Sequence, residues 1–107
     1  SFITHHTMDM KIVYCDDNIE KLLGYKADEL VGTSFYDYHH IYDSSSILNA
    51  FKTLFTKGQM VSGLYRFLAH NGGFAWVETQ ASLVKNPQTD KPQSVICIST
   101  VVSLVMK

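Results

Sequence analysis

The chain has 107 residues, of which 46% are hydrophobic and 18% are charged, a composition typical of one folded domain. Nine basic and ten acidic residues give a net charge of −1, which argues against the basic surface that nucleic-acid binding requires. No apolar run approaches the roughly 20 residues that cross a bilayer. The chain begins at Ser1, and we expect a single domain excised from a longer protein.

The first third of the chain predicts a strand pair followed by short helices. Residues 2–6 and 11–15 are β-type runs, and the second alternates as a strand with one face inward would. A helix opens at residues 16–18 and stops at Gly24. A second helical turn over residues 27–31 also ends at a glycine.

The rest of the chain predicts one longer helix and three long strands. The helix begins at residues 43–44 and ends before Gly58, with one apolar face formed by Ile47, Leu48, Phe51, Leu54 and Phe55. Residues 59–69, 74–84 and 94–105 are predicted strands, the first two joined by an Asn-Gly turn. Strands, then helices, then strands indicate an α+β fold with helices on one face of an antiparallel sheet.

Local patterns resemble those of PAS domains. Residues 24–32 (GYKADELVG) match the short-helix signature of that family, and residues 72–79 (GGFAWVET) resemble its second long strand. The order of elements fits across essentially the whole chain. The resemblance implies a PAS fold over residues 1–107 as a single domain, with a five-stranded antiparallel sheet and short helices packed on one face.

A narrower resemblance is to the second PAS domain of hypoxia-inducible factor alpha subunits, with single-minded and trachealess proteins as close relatives. It rests on five blocks in register, at residues 6–11, 14–17, 56–59, 65–69 and 77–80. It implies a hypoxia-responsive basic helix-loop-helix PAS transcription factor of the nucleus, with a cytoplasmic pool. Such a factor pairs with the aryl hydrocarbon receptor nuclear translocator. This segment is then a dimerisation module without direct nucleic-acid or membrane contact, and transcriptional coactivators are further candidate partners.

Strand alternation independently predicts a sheet face directed away from the helices. The candidate partner-binding residues on it are His5, Val13, Leu64, Arg66, Trp76, Glu78, Gln80, Ile96, Ile98 and Thr100. An apolar patch around Trp76 with a polar rim is typical of an interface. Two alternatives stay open: a terminal helix of the parent protein covers this face, or it is an ordinary surface with some apolar residues.

The opposite sheet face is predicted to enclose the core. The candidate core or cavity-lining residues are His6, Met10, Ile12, Tyr14, Phe35, Phe51, Leu54, Tyr65, Phe67, Thr79, Cys97 and Ser99. The polar members can orient a small ligand, bond one another or hold ordered water. Phe35, Phe51 and Phe67 stand where some relatives have smaller or more polar residues, so we expect a smaller cavity and no cofactor. A ligand- or cofactor-sensing module is the alternative, and coactivator docking on the helical side is another.

The sequence offers no catalytic or metal-binding constellation. Adjacent histidines at 5–6 point to opposite strand faces, and those at 39–40 diverge by about 100° on a helix, so neither pair suits one ion. Two cysteines, at 15 and 97, are too few for a zinc cluster and lack an adjacent base. We therefore predict a non-enzymatic domain without a metal.

Overall fold

The computed structural model describes residues 1–103. The elements in chain order are β1 (Phe2–His6), β2 (Ile12–Cys15), α1 (Asn18–Leu23), α2 (Ala27–Leu30), two 3₁₀ turns (Phe35–Asp37 and Ile41–Asp43), α3 (Ser44–Lys57), β3 (Gln59–Leu68), β4 (Phe74–Lys85) and β5 (Pro92–Val101). The strands form one antiparallel sheet in the order β2-β1-β5-β4-β3. This confirms the predicted α+β arrangement.

The boundaries differ from the prediction mainly at the end of the chain. The last strand was predicted over residues 94–105, but β5 ends at Val101. Residues 104–105 lie outside the described residues. In the part of the chain that the structure describes, no helix is long and apolar enough to cross a membrane.

Helix α3 buries a narrower stripe than its apolar pattern predicts. It ends at Gly58, whose φ of 87° is readily adopted by a residue without Cβ. Its buried residues are Ile47, Phe51 and Leu54. Leu48 and Phe55 were predicted on the same face but are 59% and 40% exposed. Each follows a buried residue by one position, which rotates it about 100° away from the sheet.

An extra residue in β2 changes which of its side chains face the core. His5 pairs with Tyr14 and the next residue of β1 pairs with Ile12, so Val13 is unmatched and forms a bulge. Cys15 is consequently buried, whereas Tyr14 is 47% exposed. Tyr14 was predicted to line the core, and that prediction was wrong. Its ring lies on the opposite face, with its centroid 4.8 Å from that of His5.

Aromatic rings fill the space between the sheet and the helices. The ring of Phe35, from the first 3₁₀ turn, meets Phe51 of α3 and Phe67 of β3 at centroid distances of 5.3 and 6.3 Å. Tyr38 stacks on Phe67 at 5.6 Å. Edge-to-face and stacked pairs of this kind add to the free energy gained from burying their area. The core therefore joins the helical segment directly to the middle of the sheet.

Candidate interaction surface

One face of the sheet points away from the helices, and we call it the outer face. Cross-strand partners in an antiparallel sheet share a face, so the register shows which side chains meet there. Its rows across the strands are Tyr14, His5, Ile96 and Ser82; Ile3, Ile98, Gln80 and Val61; Thr100, Glu78 and Leu64; and Trp76 and Arg66. None of these residues is buried. Every residue predicted for this face lies in these rows except Val13, which is exposed at the β2 bulge beside them.

The middle of the outer face is apolar and exposed. Ile3 and Ile98 lie opposite each other on β1 and β5. On β3, Val61 and Leu64 are 62% and 57% exposed. Such contiguous apolar exposure is unusual for a surface with no partner, whereas single exposed residues are common. Sequence reasoning missed Ile3, Val61 and Tyr14; the alternation of β1 carried the signal for Ile3, but bulges hid the other two.

A structured corner borders this apolar area. The Arg66 guanidinium lies 5.1 Å from the Trp76 ring centroid and 5.6 Å from that of Tyr42, so it contacts both rings. Its Nε and Nη2 donate to the two carboxylate oxygens of Asp43 at 2.9 and 2.8 Å. The backbone N–H of Arg66 also donates to Asp43, at 2.8 Å. The corner is therefore held by three hydrogen bonds to one carboxylate.

The corner also presents two strongly exposed apolar side chains. Ile41 and Tyr42, on the second 3₁₀ turn, are 77% and 80% exposed. The hydrogen bonds from Arg66 hold the pKa of the Asp43 carboxyl below its usual range, so it stays ionised near neutral pH. Sequence reasoning missed Asp43 because 23 residues separate it from Arg66, and only the fold brings them together.

A buried polar network lies on the other side of the same strands. The Tyr65 hydroxyl is 2.6 Å from Oγ1 of Thr79, which is 2.8 Å from Oγ of Ser99. Oγ1 of Thr4 is 2.7 Å from Nε2 of His6. These buried groups therefore satisfy one another, which removes most of the free-energy cost of burying them.

Burial sets the charge state of this interior. It lowers the pKa of His6 to about 4, so the imidazole is neutral at pH 7. Burial also raises the pKa of the Cys97 thiol to about 12 and raises the pKa of the Tyr65 hydroxyl. Near neutral pH these groups carry no charge, so they act as hydrogen-bonding and packing groups.

The remaining residues predicted for the core occupy the interior. The buried set comprises His6, Met10, Ile12, Phe35, Phe51, Leu54, Tyr65, Phe67, Thr79, Cys97 and Ser99. Tyr14 alone of the predicted set is exposed. The three phenylalanines belong to the aromatic cluster that packs between the sheet and the helices.

The histidine pairs are separated as strand and loop geometry requires. His5 lies on the outer face and His6 in the core. His39 bonds a serine hydroxyl of α3, and Nδ1 of His40 accepts the backbone N–H of Tyr42 at 3.0 Å. Among the described residues, no group of three or more His, Cys, Asp or Glu side chains could hold a metal ion.

Comparisons with known proteins agree with this architecture. Residues 1–104 match the family model of the PAS domain. The chain is 43% identical over all 107 residues to hypoxia-inducible factor 1-alpha of Mus musculus, and it spans 13% of that protein's length. It is 45% identical over 103 residues to the protein of the same name from Oncorhynchus mykiss, with 96% of this chain and 13% of that protein aligned.

A more distant relative and a solved structure complete the comparison. The Drosophila melanogaster protein named Similar is 40% identical over 103 residues, which are 96% of this chain and 7% of that protein. The wild-type Drosophila melanogaster Cycle PAS-B domain superposes with a TM-score of 0.87 at 24% identity, covering 95% of this chain and all of that one. Sequence and fold agree over the same residues: the chain belongs to the PAS domain family.

Proposed function

We propose that this domain is a non-enzymatic heterodimerisation module of a hypoxia-responsive basic helix-loop-helix PAS transcription factor. Its partner is the PAS domain of the aryl hydrocarbon receptor nuclear translocator, bound through the outer face. The identity to hypoxia-inducible factor 1-alpha segments supports the class of parent protein. The parent then acts in the nucleus, with a cytoplasmic pool.

The observation that carries the proposal is the continuous apolar area of the outer face, bordered by the Arg66 corner. Ile3, Ile98, Val61 and Leu64 expose apolar surface that a partner sheet can cover. Trp76 is half-buried at the end of this area and packs against the Arg66 guanidinium. Tryptophan and arginine contribute disproportionately to binding energy when a partner desolvates them. The outer face thus combines apolar area with anchors of defined geometry.

Isothermal titration calorimetry with the translocator's second PAS domain tests this proposal. We expect Trp76→Ala and Arg66→Glu each to weaken binding by about tenfold or more, equivalent to about 1.4 kcal/mol. Leu48→Ala is the matched control, because Leu48 is an exposed apolar residue on α3. Circular dichroism must show that all variants are folded. Weakening by Leu48→Ala alone would transfer the interface to the helical side.

The buried polar network favours one second candidate, a ligand-sensing module. Tyr65, Thr79 and Ser99 place three hydroxyl groups next to one another inside an apolar interior. Polar groups arranged in this way can orient a small ligand. The aromatic cluster of Phe35, Phe51 and Phe67 fills space close by, which favours the dimerisation module. Native mass spectrometry of the purified domain distinguishes the two, because a tightly held ligand adds its mass.

A further inference from the structure

A groove lies along the free edge of the sheet, beside β2 and outside the rows of the outer face. It has a volume of about 590 Å³ and runs between β2 and the helices α1 and α2. We call it the β2 groove and define it by three apolar residues, Val13, Tyr14 and Val31, and three acidic residues, Asp17, Glu20 and Asp28. Tyr14 also belongs to the outer face, so the two surfaces meet at its ring.

The apolar part of the β2 groove is open to solvent. Val13, Tyr14 and Val31 are 51%, 47% and 46% exposed. The β2 bulge causes this, because it directs two successive side chains away from the core. Val31 follows α2 in an extended conformation. Three adjoining side chains of this kind can accept an aliphatic or aromatic group from a partner.

The charged part of the β2 groove is strongly one-sided. Asp17, Glu20 and Asp28 line it, whereas Lys26 is its one cationic lining residue. Within residues 1–103, none of these three carboxylates takes part in an ion pair. Like charges that converge on a groove raise the local concentration of oppositely charged ligands. The groove therefore favours a cationic ligand and disfavours a phosphate, a nucleic acid or an anionic membrane.

We propose that the β2 groove docks a basic peptide segment of a protein partner. An aliphatic or aromatic side chain of the segment packs on Val13, Tyr14 and Val31, and flanking lysine or arginine side chains pair with the acidic residues. Apolar contact supplies affinity, while charge complementarity supplies orientation and selection against acidic segments. This docking site is separate from the proposed heterodimer anchors at Trp76 and Arg66.

Fluorescence anisotropy with a short labelled peptide of alternating lysine and leucine tests the proposal. We expect binding that weakens as salt concentration rises, and no binding of the matched peptide with glutamate in place of lysine. Asp28→Lys should weaken binding on the order of tenfold. Asp37→Lys is the matched control, because it makes the same charge change at an exposed site outside the groove. Equal losses in the two variants, or equal binding of both peptides, would overturn the proposal.

Nuclear magnetic resonance then locates the peptide. We expect amide shifts at Val13, Tyr14 and Val31, and we expect Val31→Gln to weaken binding without changing the fold. Trp76→Ala should bind the peptide as the wild type does, so failure of the heterodimer proposal leaves this one testable. Absence of binding, or shifts confined to another surface, would contradict the groove assignment. Concentration-dependent dimerisation with the same shifts in the absence of peptide would assign the groove to a second copy of the chain instead.

Discussion

Asp43 and Arg66 form a two-point ion pair that also ties the second 3₁₀ turn to strand β3. The carboxylate accepts two guanidinium hydrogen bonds and the backbone N–H of Arg66. Both side chains are partly buried, with exposures of 12% for Asp43 and 27% for Arg66. A paired geometry of this kind fixes direction as well as distance. The position of the Arg66 guanidinium against the Trp76 ring thus depends on a residue outside the sheet.

Replacing Asp43 with asparagine should therefore affect both stability and partner binding. Asp43→Asn nearly preserves volume but removes the charge and one acceptor, and we expect a loss of about 1–2 kcal/mol in the free energy of unfolding. Urea denaturation measures this loss. Affinity for the translocator domain should fall as well, because the Arg66 corner loosens. Asp37→Asn, at an exposed site, is the control; equal stability and affinity in the two variants would show that the ion pair does not organise the corner.

Acid should destabilise the domain through His6. Burial lowers the pKa of His6 to about 4 in the folded state, whereas an unfolded histidine titrates near 6.5. The unfolded state therefore binds more protons between these values, so stability is complete above about pH 6.5 and declines as pH falls towards 4. The full effect is on the order of 3 kcal/mol.

The measurement for His6 is the free energy of unfolding at several pH values between 4 and 7. His6→Gln keeps a polar side chain but does not titrate, so its curve should be flatter in this range even if its stability is lower. His39, whose pKa burial also lowers, remains in both proteins and cancels in the comparison. Parallel curves for the two proteins would show that His6 does not couple to folding.

The sequence predicts the sheet more completely than it predicts the corner. In β4 and β5, strict alternation correctly separates buried Val77 and Cys97 from half-buried Trp76 and Ile96. Tyr14 was misplaced because a one-residue bulge reverses the alternation, and a period-two pattern carries no signal for a bulge. Asp43 was missed because its contact with Arg66 is tertiary.

The polar interior predicts unequal costs for two conservative changes. Tyr65→Phe removes one hydroxyl and should cost about 1 kcal/mol, since Thr79 keeps its bond to Ser99. Thr79→Val removes the central hydroxyl and leaves two buried groups without it, so we expect about 1–3 kcal/mol. Urea denaturation of both variants measures the order. A larger loss for Tyr65→Phe than for Thr79→Val would contradict the central position of Thr79.

Both cysteines should react slowly in the folded domain. Burial raises the pKa of Cys97 to about 12, and burial together with the neighbouring Asp16 and Asp17 raises that of Cys15 to about 12. The reactive thiolate is therefore scarce at pH 7. Mass spectrometry after maleimide treatment should show little modification of the native protein and modification of both thiols in urea. Rapid labelling of Cys97 in the native domain would contradict the described core.

The central claim is that the outer face binds the partner domain, and a nuclear magnetic resonance titration tests it most directly. Isotope-labelled domain is titrated with the translocator's second PAS domain, and amide and side-chain shifts are mapped. The account predicts shifts centred on Arg66, Trp76, Ile96 and Ile98 that Trp76→Ala diminishes. Shifts confined to the helices, or no shifts at partner concentrations in the high micromolar range, would contradict it.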